Sequence, residues 1–410
     1  MPDAGSFIHA GPGRAYRVPG MDAKDEGLRS AAEAAAGFAL YGDLASISRY
    51  GTGHINSTYA ATCDQGGRAV RYLLQRINTY VFREPEALMG NVVRVTEHLR
   101  ARLAAEGATG LSRRVLTVVP ARDGRPLLRD AEGGAWRCYL FIEGAYSSDR
   151  MDCPERARAL GSAVGRFQYL LSDLGGPRLA ETIPGFHDAR SRYAAFERAV
   201  AEDRAGRART VAREIDFFRA NREGFDRIVA ALESGEIPER ITHNDTKISN
   251  LLVDDASGEA ICVIDLDTVM PGSSVYDFGD LARTVPASTA EDDPDPSRMH
   301  LVLPMYEALV RGYAEGTSSG GGSSRGASFL TPAEIGLLPA GARILTMLMG
   351  IRFLTDHLDG DVYYRVARES HNLDRSRTQI ALIRSMDANR GLMLAATEAA
   401  FPGKGGRAAP

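Results

Sequence analysis

Hydrophobic and polar positions follow two different periods along this chain, and the change falls near Pro154. Before it, short apolar or alternating runs predict β-strands at 47–50, 58–62, 69–77, 115–119, 126–129 and 136–142. Helical spacing of apolar or Ala/Leu-rich positions predicts helices at 26–41, 85–103, 157–174, 191–204, 207–232, 277–284, 301–313, 331–358 and 371–394. A strand-rich first part is therefore followed by a mostly helical second part.

Two stretches have neither period. Residues 1–25 are rich in Gly, Pro, Asp and Ala, and we interpret them as a mostly disordered leader. The Gly/Ser-rich residues 317–328 interrupt helical sequence on both sides, so they predict a flexible surface insertion. The expected domains are then 26–143 and 144–400.

Composition narrows the class of protein. The 410 residues carry a formal charge of −4, with no basic run, which argues against non-specific nucleic-acid binding. Four cysteines lie far apart without a C-x-x-C pair, so neither a disulfide framework nor a zinc site is expected. No signal peptide or continuous membrane-length apolar run stands out. We expect a cytoplasmic protein with no membrane partner and no evident obligate protein partner.

The chemistry centres on residues 241–267. His243-x-Asp245, with Asn250 five residues later, has the spacing of a kinase catalytic loop, in which the Asp accepts a hydroxyl proton and the Asn holds magnesium. Lys247 could face the transferring phosphoryl group. Strands predicted at 251–253 and 260–264 around a turn would return Asp265 beside Asn250, so both oxygens could share one hard cation.

Simpler interpretations exist for each of these residues. A His-x-Asp pair is often a surface turn or a cap, and Asn250 could bond its own turn. Carboxylates just beyond apolar strands are costly unless paired or metal-bound, which favours the catalytic interpretation. The triplet from Asp277 to Gly279 spells a kinase metal motif, but no strand precedes it. We therefore predict that Asp277 is a helix cap or a buried support of the catalytic loop.

The nucleotide-binding candidates lie in the first part. The turn 51–57 has glycines whose backbone N–H groups could approach phosphates, although a plain hairpin turn has the same composition. The third strand ends without the expected lysine, so Gln75 or Arg76 would replace it, and alternation puts one of them on the nucleotide face. Glu97 is either their ion partner or an exposed helix carboxylate. The candidates are Gly51, Gly53, His54, Asn56, Gln75, Arg76, Glu97 and Glu143, the last at a hinge where backbone groups would bind adenine.

The acceptor-site candidates lie near the C-terminus. Arg352, Thr355 and Asp356 are spaced by three and four, so they share one helix face. That stripe could be an internal salt-bridge network, or it could bind sugar hydroxyls and an acetamido group while a tyrosine packs on the ring. His187 could cap, pack or line the same site. The acceptor-site set is Asp245, Arg352, Thr355, Asp356, Tyr363, Tyr364 and His371.

Five segments carry a resemblance to a known family. Residues 51–59, 74–78, 242–247, 263–272 and 352–356 resemble the N-acetylhexosamine 1-kinases, within the wider aminoglycoside phosphotransferase and choline kinase group. The Thr-His-Asn-Asp-Thr-Lys form at 242–247 is more specific than the His-Gly-Asp common in the wider group. The resemblance covers roughly residues 40–390.

This resemblance implies an α+β, bilobal protein-kinase-like fold, with a small β-rich N-lobe that carries the nucleotide loop and a larger, mostly helical C-lobe. It also implies ATP, Mg²⁺ and phosphorylation of GlcNAc or GalNAc at the anomeric hydroxyl. Asp245 would be the base, Asn250 and Asp265 metal ligands, and Asp267 a ligand of a second metal or a support of the loop. The alternatives are a kinase of this fold for an aminoglycoside, choline, a methylthio-sugar or a plain hexose, and a non-catalytic nucleotide-binding module.

Overall fold

Two compact units make up the chain. The computed structural model describes residues 25–51, 55–148, 153–318 and 327–403, together with the backbone of 7–10 and 14–17. The units are Met1–Gly144 and Ala145–Pro410, so the predicted boundary after residue 143 falls one residue before the division. Antiparallel strands dominate the first unit and helices the second, as an α+β fold requires.

The first unit is built on one antiparallel sheet. Its helices are α1 (Glu26–Gly37), α2 (Pro85–Ala105) and α3 (Leu111–Arg114). Its strands are β1 (Phe7–Ala10), β2 (Arg14–Arg17), β3 (Asp43–Arg49), β4 (Ser57–Asp64), β5 (Ala69–Ile77), β6 (Val118–Val119), β7 (Leu128–Arg129) and β8 (Ala135–Leu140). The six strands from β3 onward form a sheet of order β3-β4-β5-β8-β6, with β7 also on β8.

Strands β1 and β2 pair with each other inside the predicted disordered leader. The other positions up to residue 24 lie outside the described residues.

One face of the large sheet packs on α1. Side chains two residues apart point to the same face of a strand, so alternate positions of β4, β5 and β8 form a common apolar surface. The buried strand residues of this core are Tyr59, Ala61, Cys63, Tyr72, Leu74, Trp136 and Cys138. The opposite face carries Gln75, which lies across from Arg137 in the β5–β8 register.

The second unit is mostly helical. Its strands are β9 (Ala145–Tyr146), β10 (Arg240–Thr242), β11 (Leu251–Asp254), β12 (Ala260–Val263) and β13 (Met270–Gly272). Its helices are α4 (Pro154–Leu171), α5 (Ala189–Glu202), α6 (Ala212–Ala220), α7 (Arg227–Glu233), α8 (Ser274–Thr284), α9 (Leu303–Gly316), α10 (Pro332–Asp359), α11 (His371–Ala388) and α12 (Arg390–Ala400). Short 3₁₀ helices cover Ala208–Val211, Ile248–Asn250, Leu266–Thr268 and Pro296–Arg298.

Several of these elements differ from the sequence prediction. The single helix expected over 207–232 is divided into a 3₁₀ turn, α6 and α7, and Gly224 between α6 and α7 has a φ of +72° that a continuing helix cannot use. The last predicted helix is broken at Asn389. Strands β10 and β13, three residues each, were not predicted because they are too short to show a period.

Close packing of α4 on α9 depends on small residues. A Cβ at Gly161 or Gly165 would collide with the backbone of α9, and one at Gly312 or Gly316 would collide with the backbone of α4. The two helices therefore approach more closely than larger side chains would allow.

Helix α10 lies in the centre of the second unit. The predicted capping box is confirmed, because Thr331 Oγ1 accepts from Glu334 N and the Glu334 carboxylate accepts from Thr331 N. Gly360, with a φ of +100°, ends the helix as predicted. Among the described residues α10 alone is long and apolar enough to cross a membrane, and 72% of its apolar window is buried inside the protein. Core packing accounts for that hydropathy.

Candidate active site

Strand β10 leads into the predicted catalytic loop, and the hairpin β11–β12 follows it. Ile264 N donates to Asn250 O at 2.9 Å, and His243 Nε2 donates to Ile264 O at 2.8 Å. These bonds fasten the residue before Asp265 to both ends of the loop. The predicted hairpin, which returns the chain beside Asn250, is confirmed.

The Asp245 carboxylate is held from two sides. Its Oδ2 accepts from Lys247 Nζ at 3.0 Å and from Asn250 Nδ2 at 2.9 Å. Burial raises the pKa of Asp245, but the charges of Lys247 and His243 and these hydrogen bonds outweigh burial, so its pKa lies below the usual value. The group is ionised at neutral pH and can accept a proton.

Lys247 lies among three carboxylates. The charge of Asp245 is the main cause that raises the Lys247 pKa; burial opposes it, and Asp265 and Asp280 add to it. The ammonium group is therefore protonated near neutral pH, and 41% of the side chain is exposed. It can place a positive charge next to the reacting oxygen of a substrate.

Asn250, Asp265 and Asp267 offer oxygen ligands for a cation. Asn250 Nδ2 donates to Asp245 O at 2.7 Å and to the Asp245 carboxylate, which leaves Asn250 Oδ1 as the atom that could bind a metal. Asp265 is exposed with a φ of +60°, and Asp267 is buried. Within the described residues no three His, Cys, Asp or Glu side chains group to hold a metal. One amide and two carboxylates nevertheless suit Mg²⁺, which keeps waters and substrate phosphates as further ligands.

Asp277 supports the catalytic loop from below. Its carboxylate accepts from His243 N at 2.9 Å, Asn244 N at 2.6 Å and Gln168 Nε2 at 2.7 Å. Tyr313 Oη on α9 donates to Gln168 Oε1 at 2.5 Å, so the close α4–α9 packing fixes the third donor. Ser273 is the N-cap of α8. Of the two predicted roles for Asp277, buried support is confirmed and helix cap is wrong.

Sequence reasoning missed Asp280, one turn beyond Asp277 on α8. Its Oδ1 accepts from Arg283 Nε and Nη2 at 3.2 and 2.9 Å, while its Oδ2 is buried with no partner among the described residues. Burial is the main cause that raises its pKa, the charge of Asp245 adds to it, and Arg283 opposes both. Asp280 lies three residues after Asp277 on the same helix, and this spacing is the signal that could have found it.

Aromatic rings lie beside the catalytic loop. His187 packs between Phe186 and Tyr276, with ring centroids 4.6 and 4.9 Å away. His187 Nε2 donates to Asn244 O at 2.8 Å, and burial lowers the His187 pKa to about 3, so the imidazole is neutral. In the described part of the chain, three polar atoms here are buried without a partner: His187 Nδ1, Tyr276 Oη and Tyr364 Oη. We call His187, Tyr276 and Tyr364, with Phe186, the aromatic pocket.

Arg352 joins this pocket, but two of the other predicted acceptor residues do not. Its guanidinium carbon lies 5.4 Å from the Phe186 ring centroid and 5.6 Å from that of Tyr364. Thr355 Oγ1 donates to Ile351 O of its own helix at 2.8 Å. The Asp356 carboxylate accepts four hydrogen bonds, from the backbone N of Val362, Tyr363 and Tyr364 and from Asn372 Nδ2. With its acceptor capacity filled, Asp356 is a buried support for the tyrosine segment and not the predicted sugar ligand.

His371 is also committed to the protein. Its Nδ1 accepts from Ala367 N at 3.0 Å, and its Nε2 bonds Asp292 Oδ2 at 2.9 Å. Both ring nitrogens have partners within the protein, and a substrate contact by His371 stays a prediction. Tyr363 is 56% exposed and packs edge-on against Tyr364.

The predicted nucleotide loop is partly described. Gly51 is exposed with a φ of +71°, a conformation that favours glycine. Asn56 Oδ1 accepts from Asn78 N at 2.9 Å, which ties the loop to the end of β5. Gly53 and His54 lie outside the described residues.

Of the two candidates that could replace the lysine, Gln75 is buried further than Arg76. Gln75 Nε2 donates to Thr58 Oγ1 at 3.1 Å, and Gln75 Oε1 accepts from Arg137 Nε at 2.9 Å. Arg76 is exposed, and its Nη2 lies 3.8 Å from Asp130 Oδ2. Arg137, only 1% exposed, is a cation that sequence reasoning missed because its strand looked like plain core around Trp136.

Glu97 and Glu143 are the two carboxylates among the nucleotide-binding candidates of the first unit. Glu97 is exposed and has no ion pair among the described residues, so its exposed-carboxylate interpretation holds. The Glu143 side chain pairs with Arg71, and Arg113 donates to the backbone oxygens of Glu143 and Gly144. Arg113 therefore contacts the hinge where backbone groups were predicted to bind adenine, and that role stays a prediction.

A sheet-based unit, a helical unit and a loop that presents Asp245 and Asn250 together define a protein-kinase-like phosphotransferase. The chain matches the APH phosphotransferase enzyme family over residues 46–315 and belongs to that family. Its fold is similar to that of an aminoglycoside phosphotransferase from Alicyclobacillus acidocaldarius, with a TM-score of 0.55, 13% identity, and coverage of 89% of this chain and 95% of the other. It is also similar to a choline kinase from Cryptosporidium parvum Iowa II, with a TM-score of 0.51, 12% identity, and coverage of 87% and 93%.

Proposed function

We propose that this phosphotransferase moves the γ-phosphoryl group of ATP, with Mg²⁺, to the anomeric hydroxyl of a free N-acetylhexosamine. The observation that carries the proposal is the ionised Asp245 beside the aromatic pocket, whose buried polar atoms lack protein partners. Buried polar groups need hydrogen bonds, and an acceptor rich in hydroxyls would supply them. The resemblance of segments such as 242–247 and 352–356 to the sugar 1-kinases supports the same acceptor.

In this proposal Asp245 orients the anomeric hydroxyl and takes its proton as the new bond to phosphorus forms. Lys247, already paired with Asp245 at 3.0 Å, places positive charge next to the transferring group. Asn250, Asp265 and Asp267 would hold magnesium, which neutralises phosphate charge when bound. Positioning and charge stabilisation are the main requirements of phosphoryl transfer, and these residue types meet them.

The nucleotide-binding roles of the first unit are part of the same proposal. Gly51 and Asn56 shape the loop that would cover the phosphates. Gln75 and Arg137 form a hydrogen-bonded pair at the position where a lysine was expected. Arg76 is the alternative cation.

The charge of the acceptor region disfavours cationic acceptors. The two similar folds described above are named for an aminoglycoside phosphotransferase and a choline kinase, and aminoglycosides and choline are cations. Arg192 and Arg352 both contact Phe186 of the aromatic pocket, and cations would be repelled there. A neutral acceptor fits this electrostatic environment better.

A coupled assay of ADP release tests the proposal. Acceptors would be GlcNAc, GalNAc, glucose, galactose, kanamycin and choline, each with ATP and Mg²⁺. We expect the two N-acetylhexosamines to give the highest kcat/KM. A higher value for kanamycin or choline would contradict the proposed acceptor, and ATP binding without turnover of any acceptor would favour a non-catalytic module.

A further inference from the structure

Two arginines lie next to the aromatic pocket without ion partners. Arg192 on α5 and Arg352 on α10 form no salt bridge within the described ranges, although most arginines of this chain that have an ion pair reach a carboxylate within 3 Å. Each guanidinium has five N–H donors and no acceptor, so such a pair needs oxygen atoms from elsewhere.

The two side chains converge on the same residue, Phe186. Arg192 Nη2 donates to Phe186 O at 3.2 Å, and the Arg352 guanidinium lies over the Phe186 ring at 5.4 Å. Arg192 Nε is buried and has no hydrogen-bond partner in the described part of the chain. Burial and the charge of Arg352 both lower the pKa of Arg192, so the two cations are close enough to disfavour each other.

Contacts connect this arginine pair to the catalytic loop. Phe186 packs on His187 at 4.6 Å, and His187 Nε2 donates to the carbonyl of Asn244, the residue before Asp245. Arg352 also lies over Tyr364, which carries one of the unpartnered hydroxyls. The pair therefore lies in the same aromatic pocket where the proposed acceptor would bind.

We propose that Arg192, together with Arg352, forms a subsite for a planar oxygen group on the acceptor sugar, an acyl carbonyl or a carboxylate. This inference rests on the proposed function and adds Arg192 as a residue that determines specificity. A carbonyl or carboxylate oxygen accepts charge-assisted hydrogen bonds from guanidinium groups and relieves the repulsion between them. A plain hydroxyl at the same ring position does so less well, because it carries less negative charge.

The test compares glucose with two sugars that each differ from it at one carbon: GlcNAc, with an acetamido group at C2, and glucuronic acid, with a carboxylate at C6. The variants are Arg192→Gln and Arg352→Gln, and Arg198→Gln is the matched control because Arg198 is an exposed arginine on the same helix. Steady-state kcat/KM is measured for each sugar, together with the KM for ATP. Arg192→Lys tests whether the forked geometry is needed beyond the charge.

The wild type should prefer GlcNAc or glucuronic acid to glucose. Hydrogen bonds to charged groups contribute about 1.5–3 kcal/mol, so Arg192→Gln should reduce that preference about 10–100-fold. Values for glucose and the KM for ATP should change little, Arg192→Lys should be intermediate, and Arg198→Gln should behave as wild type. The favoured sugar identifies whether the group is an acyl carbonyl or a carboxylate.

Three results would overturn the inference. A wild-type enzyme that turns over all three hexoses equally has no such subsite. A variant that lowers kcat/KM by the same factor for every sugar has lost structure and not a specific contact. If Arg192→Lys keeps the full preference over glucose, the forked geometry of the guanidinium is not needed. If no sugar is turned over at all, the proposed function fails, and the subsite falls with it.

Discussion

Two buried polar regions flank the catalytic loop and differ in how their hydrogen bonds are satisfied. Below the loop, the Asp277 carboxylate accepts from His243 N, Asn244 N and Gln168 Nε2. Beside the loop, His187 Nδ1 and Tyr364 Oη are buried without protein partners in the described structure. The filled network holds a shape, while the unfilled atoms are those that we propose a ligand would satisfy. Asp356 and Arg352 on α10 differ in the same way. The Asp356 carboxylate accepts four hydrogen bonds from the protein, while the Arg352 guanidinium has no ion partner among the described residues.

The largest expected effect is at Asp245, which both regions serve. Asp245→Asn should cut turnover by roughly 10²–10⁴-fold while ATP binding stays nearly unchanged, because the amide cannot accept the acceptor's proton. Single-turnover kinetics and nucleotide titration measure the two quantities. Asp255→Asn, an exposed carboxylate in the following turn, is the control. Turnover near the wild-type rate would remove Asp245 from the role of base.

Loss of the filled network should lower the free energy of unfolding. In Asp277→Ala the backbone N–H groups of His243 and Asn244 lose their acceptor, and each buried unsatisfied donor costs about 1–3 kcal/mol. Urea unfolding should show a clearly lower free energy of unfolding, while the magnesium dependence of the remaining folded enzyme stays as in the wild type. A changed magnesium requirement with unchanged stability would make Asp277 a metal ligand after all.

Removal of one of the unfilled atoms should lower activity toward the sugar without lowering stability. Tyr364→Phe removes a buried hydroxyl that has no hydrogen-bond partner among the described residues, so stability should be unchanged or slightly raised. The sugar kcat/KM should fall about 2–10-fold, which corresponds to one hydrogen bond of about 0.5–1.5 kcal/mol, with the ATP KM unaffected. Tyr41→Phe serves as the control, because Tyr41 is 70% exposed and belongs to the first unit. A loss of stability without any effect on the sugar would move Tyr364 into the filled network.

The sequence predicted the catalytic side of this comparison better than the acceptor side. The loop and hairpin follow from local spacing, since His243, Asp245 and Asn250 lie within eight positions and the next strand returns beside them. The number of bonds that a carboxylate accepts depends on tertiary contacts. Helical spacing correctly put Asp356 on a face with Arg352, but it could not show that the following tyrosine segment folds back to fill it.

Buried charges were the hardest to predict. Arg137 and Asp280 lie in segments whose pattern indicates ordinary core, and their partners come from a neighbouring strand and from the next helical turn. Arg192 lies in a polar helix with several arginines, and nothing local distinguishes it from the exposed Arg198. Only the packing of α5 and α10 around Phe186 distinguishes Arg192 from Arg198.

The smallest expected effect is a pH dependence of stability. The His187 pKa is lowered to about 3 in the folded chain from about 6.5 in the unfolded chain. Between these pKa values the unfolded chain binds a proton that the folded chain excludes. The free energy of unfolding therefore falls as the pH drops below about 6.5, and the contribution of the neutral His187 is fully present above that pH. Urea unfolding at pH 7.5 and about 5.5 measures this loss.

His187→Gln should lose less stability than the wild type over the same interval. His300→Gln, at an exposed histidine, should lose as much as the wild type. Equal losses in wild type and His187→Gln would show that the ring is hydrated in the folded protein.

The central claim is the transfer of phosphate to the anomeric oxygen, and ³¹P NMR of the reaction product tests it most directly. With GlcNAc, ATP and Mg²⁺ we predict one new phosphomonoester signal whose phosphorus couples to the anomeric proton, strongly reduced with Asp245→Asn. Three-bond coupling of the phosphorus to a proton on any other carbon, or release of ADP without a phosphorylated sugar, would contradict the account.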